Sequence, residues 1–99
     1  MGFEMIVSQL SITPIGKGTS VSKYVKLAVE ILKKENLKVV TNAMATVIET
    51  EDLETLFSAV QKAHNAVIDS GAERVLTELK IDDRRDKKIT IESKLRAAQ

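Results

Sequence analysis

Gln9, Ser11, Asn42, Met44 and Thr46 are the residues whose types suit molecular recognition. Amides and hydroxyls supply directed hydrogen bonds, and a methionine supplies an adaptable apolar surface. Together they suit a shallow pocket for a small flat heterocycle. The same residues also suit ordinary positions in strands and a hairpin, and spacing alone leaves both readings open. The single histidine, His64, sits seven residues after Phe57 and three before Val67, on a helical pattern. That placement reads as a partly buried packing histidine, with an acid–base or ligand role as the other option. One histidine and no cysteine exclude a Cys–His pair, a His-rich metal cluster and a zinc–thiolate centre. No nucleophile–base pair is visible, so no catalytic residue, metal or cofactor is expected. Gly16-Lys17-Gly18-Thr19 lacks the full phosphate-loop spacing and reads as a turn. The run from Asp82 to Lys88 mixes signs closely. It suits a solvated turn with local ion pairs as well as an intersubunit contact through Arg84 or Arg85.

These residues need a scaffold, and the composition bounds it. The chain has 99 residues, 43% hydrophobic, with a net charge of +1. That suits one domain spanning residues 1–99 with one core, built mostly from aliphatic side chains because aromatics are 3%. A balanced surface excludes a strongly basic nucleic-acid binder, and no apolar run is long enough for a membrane span. The first residues do not resemble a secretory leader, and the expected location is cytoplasmic.

Along the chain, Met5 to Gly16 alternates with a period of two, setting Ile6, Leu10 and Ile12 on one face with Ser8. Pro14 is expected to stop that ladder. Ser20 is expected to cap a helix carrying Val21, Tyr24, Val25, Ala28, Val29 and Leu32. Strands follow at Leu37–Thr41 and Thr46–Glu49. A second helix, capped by Asp52 and ended at Ser70-Gly71, is expected to bury Leu53, Leu56, Phe57, Val60, Ala63 and Val67. A fourth strand runs from Arg74 to Ile81, and Thr90 can cap a short helix from Ile91 to Ala98.

The order β-α-β-β-α-β is the ferredoxin-like, split βαβ arrangement, an α+β fold with both main helices on one face of an antiparallel sheet. The first and third strands are expected at its centre. The reverse face would be bare, with Val7, Leu76 and Ile48 beside Gln9, Ser11, Glu78 and Lys80, inviting self-association. RNA-recognition modules share this topology, but they stack bases on aromatic residues of the central strands, and these strands carry none.

Four stretches carry a family resemblance. Ser11-Ile12-Thr13-Pro14-Ile15-Gly16, Ser20-Val21-Ser22-Lys23-Tyr24-Val25, Met44-Ala45-Thr46-Val47-Ile48-Glu49 and Lys80-Ile81-Asp82-Asp83-Arg84-Arg85-Asp86-Lys87 resemble, in that order, motifs of the small thiamine-binding-protein family. The resemblance implies the ferredoxin-like fold, homodimers or homotetramers built from paired sheets, no enzymatic activity, and binding of thiamine or its hydroxymethylpyrimidine part. It implies a role in thiamine supply or transport; a structural or regulatory oligomer without a ligand is the alternative. On this resemblance Gln9 or Asn42 would meet the aminopyrimidine edge, Ser11 and Thr46 would add hydroxyl contacts, and Met44 would pack on the ring. Glu49 would favour the thiazolium cation. Ala45 and Thr50 stand where members often carry glycine.

Overall fold

The structure, a computed structural model, describes residues 5–99. The reading of the first residues as no secretory leader therefore falls largely outside the described residues. The elements are β1 (Ile6–Ile15), α1 (Ser22–Lys33), β2 (Lys38–Thr41), β3 (Thr46–Thr50), α2 (Leu53–Asp69), β4 (Arg74–Asp82) and α3 (Ile91–Ala97). The sheet is antiparallel throughout, in the order β2-β3-β1-β4. This is the ferredoxin-like arrangement, with β1 and β3 central as the pattern requires.

Alternation along β1 decides the layering. Ile6, Leu10 and Ile12 enter the main core with Tyr24, Ala28 and Leu32 of α1 and Leu56, Ala59, Ala63 and Val67 of α2. Val7 points the other way and joins Ile89 and Ile91 in a second, smaller cluster with Val40 and Val47. The reverse face is therefore not bare: the segment leading into α3 covers its β1–β3–β2 part. Ile48 also departs from expectation. It is fully buried on the α1/α2 side, because it shares a face with Thr46 and Thr50 and stands opposite Ser8.

Three further local expectations are corrected. Pro14 does not stop the ladder, since β1 stays paired with β4 through Ile15. The β3 partner has already ended opposite Leu10, so this part of β1 is open on one side, where a strand proline is tolerated. Ser20 is not the cap. Val21 holds that position without a side-chain hydrogen bond, and it packs against the core, so an apolar anchor fixes the helix entry. Phe57 is half-exposed, because the buried stripe of α2 is Leu56, Ala59, Ala63 and Val67. One residue further along turns a side chain by about 100°.

Other ends behave as read. Asp52 caps α2 by accepting from the Thr55 amide at 2.7 Å. That donation holds its carboxyl below the usual range, so the capping contribution is present above the unfolded pKa and lost as pH falls through the folded one. Asp52→Asn keeps a good cap without a titrating group. Its urea midpoint is expected to match wild type near neutrality and to fall less steeply in acid. Gly71, at φ 111°, takes the left-handed stop. Thr90 and Ser93 form a reciprocal capping box that starts α3. His64 is half-buried, with Nδ1 2.6 Å from Thr77 Oγ1, tying α2 to β4. This is the packing placement its spacing suggests.

Two hydroxyls, Ser8 Oγ and Thr50 Oγ1, are buried with no hydrogen-bond partner among the described residues. An unpartnered buried hydroxyl costs roughly 1–3 kcal/mol on mutational scales. Thr50→Val keeps the shape and the β-branching. It is expected to stabilise the protein by about 1 kcal/mol in urea denaturation, and a loss of stability would show that the hydroxyl is satisfied.

Candidate functional site

The site begins where two ladders end at different places. β3 accompanies β1 only as far as the Thr46–Leu10 pair, whereas β4 continues to Ile15. Beyond Leu10 the β2–β3 connection turns away, held by the Asn42 amide donating to the Ala45 carbonyl at 2.9 Å. The gap is roofed by α1, and the cavity it leaves is about 230 Å³. Leu10, Ile12, Val25, Ala28 and Leu32 supply its apolar wall. Thr41, Asn42 and Thr46 supply neutral hydrogen-bonding side chains around it, while Ser11 and Thr13 border it from β1 with their side chains on the strand face of Val7 and Gln9. An apolar wall with a few directed polar groups is the usual make-up of a small-molecule site.

Four of the six residues singled out in the sequence come together here: Ser11, Asn42, Met44 and Thr46. Thr46 is buried, while Met44 is 92% exposed at the hairpin tip. Met44 lies in the turn and not in β3, so its unbranched side chain borders the cavity as exposed apolar surface. Gln9 and Glu49 do not line this cavity. Gln9 is exposed on the reverse face, opposite Lys80 and Val47, in a groove that Lys94 of α3 also borders. Glu49 is occupied structurally: its Oε1 accepts from the Ile91 amide at 2.9 Å and so fastens the start of α3 to β3. Thr13 and Thr41 were not anticipated. Thr13 shares a strand face with Ser11, and Thr41 directly precedes Asn42, so strand period and adjacency were the available signals.

The charged turn after β4 pairs within itself. Arg84 makes a two-pronged contact with Asp86, and Arg85 does the same with Asp83. These guanidinium contacts hold both carboxyls below their usual range. Among the described residues no group of three or more His, Cys, Asp or Glu side chains could hold a metal ion. No helix among them is long and apolar enough to cross a membrane.

Comparison with known sequences decides the family. The profile described as "Thiamine-binding protein" matches residues 8–99. The chain belongs to the thiamine-binding protein family. A UPF0045 protein of Methanocaldococcus jannaschii is 53% identical over 92 residues, covering 93% of this chain and 90% of that one. A UPF0045 protein of Bacillus subtilis is 43% identical over 96 residues, covering 92% and 91%. The crystal structure of a hypothetical protein from M. jannaschii superimposes with a TM-score of 0.89 at 52% identity, covering 95% of each chain. A Thermotoga maritima protein assigned provisionally to thiamine biosynthesis or salvage has a TM-score of 0.80 at 20% identity, covering 96% of this chain and 99% of that one, a likeness of fold. Within the thiamine-binding family, this chain thus carries its polar cavity at the open end of the β1–β3 ladder.

Proposed function

We propose that the protein is a non-enzymatic binder of thiamine or its hydroxymethylpyrimidine moiety, acting as a homodimer or homotetramer in thiamine supply or transport. The observation that carries this reading is the cavity between β1, the Asn42–Ala45 turn and α1, in a chain of the thiamine-binding family. An aminopyrimidine presents a donor beside a ring acceptor. The Asn42 carboxamide offers the matching acceptor and donor in one plane. Thr46 contributes a hydroxyl, Ser11 borders the ring from β1, and Met44 closes over the ring face. Gln9 and Glu49 act in this reading only if a ligand or a second subunit extends to the reverse face.

Self-association is supported by apolar side chains left exposed around the fold, among them Met44, Leu76 and Leu95. Titration calorimetry with thiamine and with hydroxymethylpyrimidine tests the ligand reading, and sedimentation tests the assembly. Saturation at about 100 times the dissociation constant is expected to stabilise the fold by roughly 2.7 kcal/mol, visible as a rise in Tm. Absence of both heat and melting shift at millimolar concentrations of either compound would leave the structural or regulatory oligomer as the reading.

A further inference from the structure

The wall of the cavity carries no charge. None of its lining residues, among the described residues, is Asp, Glu, Lys, Arg or His. Its polar side chains are the Asn42 carboxamide and the hydroxyls of Thr41 and Thr46, with Ser11 and Thr13 bordering it from β1. Glu49 cannot supply the missing charge. It stands three positions along β3 from Thr46, about 10 Å at strand rise, and its carboxylate is already bonded to the Ile91 amide.

Size acts in the same direction. A cavity of about 230 Å³ falls below the roughly 300–1,000 Å³ usual for drug-sized ligands, so it suits one small ring and not two linked rings. An unpartnered cation inside such a wall would lose its hydration without a compensating carboxylate.

We infer that the cavity selects by charge: it takes an uncharged planar heterocycle through hydrogen bonds, and it disfavours any ligand that must bring a fixed cation or a phosphate with it. This rests on the ligand reading above and sharpens it. The free hydroxymethylpyrimidine, neutral at neutral pH, is the preferred guest. Thiamine, with its permanent thiazolium charge, must leave that ring outside the cavity beside Met44. Thr41, exposed at the end of β2 and lining the rim, is the position from which a carboxylate would reach that outer ring.

The test is calorimetry on the full-length protein with hydroxymethylpyrimidine, thiamine and thiamine monophosphate, in low salt and in about 1 M salt, where the Debye length is about 3 Å. Hydroxymethylpyrimidine is expected to bind at least about tenfold more tightly than thiamine, with an affinity insensitive to salt. Thiamine monophosphate is expected to bind no better than thiamine. Thr41→Asp is expected to improve thiamine binding several-fold in low salt, to lose that gain in about 1 M salt, and so to narrow the gap to hydroxymethylpyrimidine. Thiamine binding as tightly as the free pyrimidine, or losing affinity to salt in the wild-type protein, would overturn the inference while leaving the ligand reading intact. Silence from all three compounds would remove both.

Discussion

Leu56→Ala is expected to destabilise the protein by about 2–5 kcal/mol, the range for deleting most of a fully buried leucine. Leu56 has no exposed surface and lies in the stripe by which α2 meets the main core. Its neighbours along the helix are Ala59 and Ala63, which bring the backbone close but have little side chain to move into a void. A domain of this length has about 5–15 kcal/mol of stability in total. The substitution therefore takes a large share of it. Urea denaturation at matched protein concentration is the measurement, with a lowered midpoint and an unchanged slope as the expected signature. A loss below about 1 kcal/mol would mean that α2 does not pack as described.

The second large effect concerns the ligand. Asn42→Ala is expected to weaken hydroxymethylpyrimidine binding by roughly ten- to hundredfold, since it leaves both a donor and an acceptor of the ring unmatched. The free protein should melt at the same temperature as wild type. The turn is held by the Asn42 main-chain amide bonded to Ala45, which alanine retains, and the side chain is exposed. Calorimetry and a thermal melt separate the two outcomes. Unchanged affinity with unchanged Tm would take Asn42 out of the site, whereas a lowered Tm would assign the carboxamide to the fold.

The layers of this fold were legible because alternation in β1 and the helical stripes of α1 and α2 are strong and agree with one another. Gly71 and the Asp52 and Thr90 caps were equally plain, each having a local cause. Pro14 and Ile48 were misread because their roles depend on which neighbour is present, and sheet register is a tertiary fact. Phe57 was misread because a wide helical stripe does not say which of two adjacent residues faces inward. The site was half legible. Ser11, Asn42, Met44 and Thr46 lie around one gap, but that gap exists only because β3 ends before β4 does. Glu49 looked free in the sequence and is bonded to a backbone amide 42 residues further on.

The outer strand of the sheet has a last consequence. β4 leaves one side of its backbone unpaired over nine residues, while its reverse-facing row reads Arg74, Leu76, Glu78, Lys80, Asp82. Stacking identical chains in parallel would set each of those ions against its own kind, and like charges directly opposite destabilise a ladder. Open-ended growth into amyloid-like fibres is thereby discouraged at the longest unpaired strand edge among the described residues. Neutralising Glu78 and Lys80 together would halve that charged row without touching the core.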